Sequence, residues 1–250
     1  FLDLVLCLLP FEKRFYDGHG LAAEFVGHPL ADQVPLVPDR AGARASLGLP
    51  PVGELVAVLP GSRLGEVTRL AADFAGAVAL LAERRPGIAF VAPTAGPRTR
   101  AAFEAALAAQ APGVAVTVTD GGAGRALAAA DTATLETLLC RRPMVVAYRL
   151  GTLTAWMLRS FGLMKAPFFA QPNLLAGRGV VPEIFQQDVT ASRLAAELER
   201  WLDAPGEREA LVGTFEGIHR ELRRDASARA AEAVLRLVEQ ARIPESRTAP

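Results

Sequence analysis

Cysteine and histidine are scarce: the 250 residues include two cysteines and three histidines. Cys7 and Cys140 lie in the apolar runs VLCLL and TLLCRR, with no CxxC pair and no Cys/His cluster. Neither a disulfide framework nor a zinc site is indicated, and the compartment reads as reducing. Excess charge is lacking too, since 27 basic residues balance 27 acidic ones. A neutral chain has no global field to draw in nucleic acid, so non-specific phosphate binding is not its default function. No apolar stretch reaches the roughly 18–20 residues of a spanning helix. Leu2–Leu9 is too short, has no basic segment and carries Asp3, which makes it a poor signal peptide. There is no internal repeat and no initiator Met. The chain starts at Phe1 inside an apolar run and reads as a fragment whose natural N-terminus is missing.

What is present points to a folded protein. Apolar residues make up 51% and charged residues 22%, enough apolar surface to offset chain entropy, in one or two domains of roughly 100–150 residues. Short apolar runs alternate with helical patterns. Leu2–Leu9, Glu54–Leu59, Ile88–Ala92, Val114–Val118 and Met144–Tyr148 read as strands. Phe11–Asp17, Asp39–Leu47, Leu64–Arg84, Arg98–Ala109, Arg125–Ala130 and Thr134–Cys140 read as helices. That alternation implies an α/β fold: a Rossmann-like parallel sheet with helices on both faces. From Thr190 onward the pattern is helical only, over Ala191–Leu202, Glu207–Arg223 and Ala226–Ala241, before a frayed tail.

Three segments carry candidate chemistry. In the first, a strand runs into Pro60-Gly61-Ser62-Arg63 and then a long helix. Glycine permits close backbone approach, and a helix N-terminus presents unpaired N–H groups, which suits a phosphate. Ser62 adds a hydroxyl and Arg63 a charge-assisted fork. The same residues also serve as a plain turn and cap, and spacing does not decide between the two. In the second, Thr132-Ala133-Thr134-Leu135-Glu136, Glu136 projects near the carboxyl edge of the sheet, where a carboxylate can accept both ribose hydroxyls; ordinary acidic enrichment at a helix start accounts for it as well. In the third, Gln171–Arg178 followed by Val180-Val181-Pro182-Glu183 mixes amide, guanidinium and carboxylate groups around glycines, as a recognition loop or as turn caps. His28, between Gly27 and Pro29, sits on a loop, where a lone histidine is more often solvated or structural than a ligand. Leu153–Phe169 is apolar with Arg159 and Lys165 interspersed, and is either core or an interfacial surface.

Taken in order, Pro10-Phe11-Glu12, Gly27-His28-Pro29, Pro60–Arg63, Thr132–Glu136, Pro143–Tyr148 and Pro172–Arg178 resemble lipid-A-disaccharide synthase over nearly the whole chain. The resemblance implies an inverting glycosyltransferase of the two-Rossmann-domain type. It would transfer 2,3-diacylglucosamine from its UDP carrier to 2,3-diacylglucosamine 1-phosphate, giving the β-1,6 disaccharide 1-phosphate and UDP. It further implies a protein peripheral to the cytoplasmic face of the inner membrane that needs no cofactor and no catalytic metal; a homodimer is left open. Carried over, Ser62 and Arg63 lie at the diphosphate, Glu136 holds the ribose, and Asn173, Arg178, His28 and Glu183 face the sugar-phosphate cleft. The expected organisation is 1–24 as the closing strand and helix of the N-terminal domain, 25–189 as the UDP-sugar-binding domain, 190–241 as C-terminal helices and 242–250 as tail.

Two departures stand out. Most of the family's N-terminal domain, which is expected to hold the acceptor site and general base, has no counterpart. The family's strand and Ser-Gly pair between the equivalents of Asp131 and Thr132 are also absent, a loss of ladder hydrogen bonds and buried area. Without a positioned base, proton removal loses a contribution of roughly 10²–10⁴-fold. The chain alone is therefore expected to bind UDP weakly and not to turn over. The alternatives are another UDP-sugar enzyme, such as an N-acetylglucosamine epimerase-like protein, and a non-catalytic nucleotide-binding or interaction module.

Overall fold

The computed structural model describes residues 2–124, 126, 138–151 and 167–242. The expected Thr132–Glu136 segment, the Asp131–Thr132 junction, and Trp156, Met157, Phe161 and Met164 lie outside these residues. Along the described chain the elements are β1 (Val5–Cys7), α1 (Pro10–Asp17), β2 (Ala23–Phe25), α2 (Pro29–Gln33), α3 (Arg40–Ser46), β3 (Leu55–Ala57), α4 (Leu64–Arg84), β4 (Ala89–Thr94) and α5 (Pro97–Gln110). There follow β5 (Val116–Asp120), β6 (Val146–Tyr148), α6 (Gln171–Ala176), β7 (Glu183–Phe185), a 3₁₀ turn at Gln186–Asp188, α7 (Ala191–Asp203), α8 (Pro205–Leu222) and α9 (Ala226–Arg242). Every strand pair is parallel: β1 with β2, β3-β4-β5 in that order, and β6 with β7. This is an α/β protein. Four short elements were not foreseen: β2, α2, α6 and β7 fall in stretches whose composition reads as loop. The chain divides into two units, Phe1–Leu36 with Glu216–Pro250, and Val37–Phe215.

The larger unit is organised by α4. Val67, Leu70, Ala71, Phe74, Ala75, Val78 and Leu81 are buried, which is the i, i+3, i+4, i+7 spacing of one helix face. α4 packs against both α5 and α7, and each large apolar side chain buried there contributes about 1.5–3 kcal/mol. α7 presents Leu194, Leu198, Trp201 and Leu202, all buried; the Trp201 indole donates to the Met144 carbonyl at 3.1 Å, so its one polar atom is satisfied inside the core. Thr190 caps α7 by accepting from the Arg193 N–H at 3.2 Å. β3 is buried along its length, as a parallel strand covered on both faces should be. Arg44 is the unexpected core residue. Its guanidinium is 2% exposed and donates to the Pro50 and Gly53 carbonyls at 3.0 and 2.9 Å. The planar fork thereby ties down the turn that feeds β3.

In the smaller unit, His219 is fully buried with Nε2 3.0 Å from the Ala31 carbonyl. Asp32 accepts from the Asp225 and Ala226 N–H groups at 2.9 and 2.7 Å, so a residue distant in sequence caps α9. Burial works to raise the Asp32 pKa, but the backbone donors of Ala226, Asp225 and Arg224, with Arg223, outweigh it and hold the carboxyl below its ordinary 3.8.

Two stability measurements follow. Arg44→Lys keeps the charge but loses the fork, and should destabilise the larger unit by about 1–3 kcal/mol in denaturant unfolding. Asp32→Asn should cost about 0.5–2 kcal/mol at neutral pH. A depressed carboxyl stabilises fully above 3.8 and loses that stabilisation as pH falls through its lower folded value. The gap between variant and wild type should therefore narrow below about pH 4; a gap independent of pH would contradict the cap.

Candidate nucleotide site

β3 leads through Leu59-Pro60 to Gly61, whose φ is +120°. A side chain there would be strained, and a Cβ would stand 3.1 Å from the Glu66 Cβ and 3.2 Å from its carboxylate. The turn swings the chain into α4. Arg63 is the N-cap, and Glu66 accepts from its backbone N–H at 3.3 Å and from its Nη1 at 3.1 Å. The Arg63 side chain is 84% exposed, so this pair holds it only loosely. The Glu66 and Val67 N–H groups bond to the Arg63 carbonyl at 2.9 and 3.1 Å, so by helix geometry it is the Leu64 and Gly65 N–H groups that have no acceptor within the helix.

The start of α4, through Ser62 and Glu66, borders a cavity of about 260 Å³ beyond the carboxyl ends of β3, β4 and β5. Gly61, Ser62, Thr94, Gly121 and Gly122 line it; Arg63 does not. The Gly121 N–H donates to the Thr94 carbonyl at 2.7 Å, and the buried Thr94 hydroxyl to the Thr119 carbonyl at 3.1 Å, which fixes the ends of β4 and β5 against each other. Gly121 and Gly122 both have positive φ, +67° and +74°, so this wall is bare backbone. A second cavity of about 220 Å³ adjoins the first, sharing Leu59, Gly61 and Glu66, and is bounded by Arg69, Tyr148 and Arg149.

Of the other expected residues, Asn173, Arg178 and Glu183 belong to the same unit and do not line this cavity. Asn173 is 2% exposed. Its Oδ1 accepts from the Val180 and Val181 N–H groups at 2.7 and 2.9 Å, and its Nδ2 donates to the Val181 carbonyl at 2.9 Å and to Glu183 at 2.7 Å. Its two donors and two acceptor positions are thus all engaged. Glu183 also accepts from the Phe169 N–H at 3.0 Å. Arg178 lies on a separate open groove with Glu197, Arg200 and Thr214, its Nη2 3.4 Å from the Thr214 hydroxyl. His28, in the smaller unit, caps α2: its Nδ1 accepts from the Leu30 N–H at 3.2 Å. Gly27 before it has no room for a Cβ, which would fall 2.7 Å from the Leu222 carbonyl. Glu136 lies outside the described residues. Among the described residues no three metal-ligating side chains cluster, and no helix is long and apolar enough to cross a membrane.

Two residues beside the site were not singled out from sequence. Arg149 donates to Asp73 at 2.5 Å, to the Arg69 carbonyl at 2.8 Å and to the Val189 carbonyl at 2.6 Å. It thereby holds the end of β6 against α4 and the start of α7. Burial, and secondarily the Glu183 charge, pushes the Tyr148 hydroxyl up to about 12, so it stays a neutral donor. Its ring stacks on Phe185 at 5.0 Å. The available signal was an arginine directly after the apolar run MVVAY.

A family model described as lipid-A-disaccharide synthetase matches residues 1–234. The chain belongs to this family. It is 50% identical over 245 residues to the lipid-A-disaccharide synthase of Pseudomonas aeruginosa (strain UCBPP-PA14), covering 95% of this chain and 63% of that one. It is 44% identical to that of Hahella chejuensis, covering 97% and 62%. The chain thus spans less than two thirds of the length of these family members. Among solved structures, UDP-GlcNAc 2-epimerase from Neisseria meningitidis, bound to UDP-GlcNAc, superposes with a TM-score of 0.63 at 12% identity, covering 94% of this chain and 62% of that chain. WaaG, a glycosyltransferase involved in lipopolysaccharide biosynthesis, superposes with a TM-score of 0.57 at 13% identity, covering 91% and 61%. At these identities the likeness is one of fold, and it is the Rossmann-like fold expected of the family.

A structural role for the amide of this family member can be separated from ligand binding. Asn173→Asp removes both donated bonds and sets a like charge beside Glu183, so it should destabilise the larger unit by about 2–4 kcal/mol. Unchanged unfolding midpoints would show that the amide network is dispensable to the fold.

Proposed function

We propose that this chain forms the sugar-nucleotide-binding part of a lipid-A-disaccharide synthase. One observation carries the reading: a glycine-walled cavity of about 260 Å³ opens at the N-terminus of α4, beyond the carboxyl ends of three parallel strands. Ligands of open α/β sheets bind in that position, and backbone N–H groups at a helix start suit a diphosphate. The reaction is an inverting displacement. The acceptor hydroxyl of 2,3-diacylglucosamine 1-phosphate attacks the anomeric carbon, the bond to the UDP oxygen breaks with its electron pair going to the diphosphate, and a base takes the hydroxyl proton. This chain's part is to hold the leaving group. The α4 amides and Ser62 receive the diphosphate, and the exposed Arg63 swings from Glu66 to pair with it, so that fixed dipoles and a cation offset the developing charge. Glu136 holds the ribose. Asn173, with Glu183, shapes the loop that carries Arg178 toward the sugar-phosphate. The enzyme acts at the cytoplasmic face of the inner membrane as a peripheral protein. Family membership supports the glycosyltransferase reading over an epimerase-like enzyme.

Titration with UDP by calorimetry tests the site. The chain should bind UDP, and Gly61→Ala, which fills the turn and strains a positive-φ residue, should weaken it by about tenfold. Arg63→Ala should weaken it by roughly three- to tenfold, less at high salt. A folded chain that binds no UDP would favour the interaction-module reading. Disaccharide formation by the 250 residues alone should be absent; a clear rate would contradict the assignment of the general base to the part of the relatives that they do not span.

A further inference from the structure

We propose that Arg69, in the second turn of α4, is a fixed cation that pairs with the diphosphate of the sugar nucleotide. The assignment rests on the nucleotide reading above and adds a second cation to it. Arg63 lines neither cavity, and its Nη1 is spent on the Glu66 carboxylate at 3.1 Å. Arg69 lines the outer cavity, the one of about 220 Å³ that shares Leu59, Gly61 and Glu66 with the glycine-walled one. Its guanidinium is held in place. The Arg69 Nε donates to the Arg149 carbonyl at 2.9 Å. In return the Arg149 Nη1 donates to the Arg69 carbonyl at 2.8 Å and to Asp73 at 2.5 Å, so the two arginines clasp each other. The Arg69 side chain lies back along the helix toward its start, the direction that helical side chains take. A Cβ at Gly65 would stand 3.4 Å from its Nη1 and 3.7 Å from its Nη2. Gly65 is one of the two residues whose N–H groups have no acceptor within α4, so the terminal nitrogens of Arg69 lie beside the turn that receives the anion.

The charges around Arg69 select an anion. Among the described residues no carboxylate pairs with it: Asp73, one turn further along α4, is taken by Arg149, and Glu66 by the N–H and Nη1 of Arg63. The bond to a neutral carbonyl spends the Nε donor and leaves the charge. The donors on both terminal nitrogens remain, in the planar fork that matches phosphate oxygens. The two arginines thus divide the work. Arg63 offsets the Glu66 carboxylate, which would otherwise repel an anionic ligand at Gly61, whereas Arg69 is unspent. A cation already in place needs no rearrangement when the ligand arrives, and Arg63 must first leave Glu66. Arg69 is therefore the larger contributor of the two.

The test titrates the 250-residue chain with UDP and with uridine by calorimetry, at low and at high salt. Arg69 is exposed and alanine favours a helix, so Arg69→Ala should stay folded. It should weaken UDP by about tenfold or more at low salt, leave uridine affinity unchanged, and flatten the salt dependence of UDP binding. Arg69→Lys keeps the charge without the fork or the Nε bond, and should recover only part of the loss. UDP affinity unaltered in a folded Arg69→Ala chain, or uridine weakened as much as UDP, would overturn the proposal and leave the nucleotide site standing. A wild-type chain that binds no UDP would overturn the nucleotide reading, and this assignment with it.

Discussion

The turn at Gly61 is the constraint on which the larger unit depends. A buried strand must hand the chain to a 21-residue helix within a few residues, and the backbone does so at φ +120°, where a side chain would meet Glu66. Because Gly61 lacks one, Glu66 folds back onto Arg63, α4 starts where it does, and its first turn borders the cavity at the ends of β3, β4 and β5. The direction of α4 then decides which residues meet α5 and α7. A substitution at this turn would act on ligand and core together, since the same helix ends in one and is buried in the other.

The second organising element is Arg149. Paired with Asp73 on α4 and bonded to the carbonyls of Arg69 and Val189, it bridges elements that no strand ladder connects. Among the described residues β3 pairs with β4 and β6 pairs with β7, and no ladder joins the two sheets. The β6 side of the site is held to α4 by side chains where an unbroken sheet would use backbone bonds. A buried or half-buried ion pair with every donor placed tolerates little, because losing one partner strands the other.

Legibility from sequence followed element length. Leu64–Arg84 was bounded correctly because seven apolar positions at helical spacing leave little alternative, and α7 and α9 were legible for the same reason. β1, β3 and β6 were placed but drawn too long, since apolar residues flank their ladders, whereas β4 and β5 run two residues further than read, to Thr94 and Asp120. α2 is five residues long and begins at a proline, and α6 carries Asn173 in its first turn and ends at Gly177. Both have the composition of turns and depend on bonds beyond the helix: α2 on the His28 N–H bond to the Leu222 carbonyl, α6 on the Asn173 bonds to Val180 and Val181. Of the site, the Pro60–Arg63 turn was legible, because glycine between strand and helix has a local signature. Tyr148, Arg149 and the outer cavity were not, because they arise from β6, β7 and α4 coming together over a separation of about eighty residues in the case of Arg69 and Arg149.

Asn173 shows how a residue type can mislead about role. An amide between two recognition-like segments invites a ligand contact, yet its four hydrogen-bonding positions are filled by backbone and Glu183. A ligand that took this amide would have to release a backbone N–H or the carboxylate, at a cost of about 1–3 kcal/mol for each buried group left unpaired. The glycine wall carries no such cost. The Gly121 N–H is bonded to Thr94, and the Arg63 and Glu66 N–H groups to the Glu66 carboxylate and the Arg63 carbonyl; the rest of the wall is glycine and serine backbone that a ligand can approach closely. In this arrangement affinity is to be sought at Gly61, Ser62 and Gly122, while Asn173 acts on it through the shape of the loop that it holds.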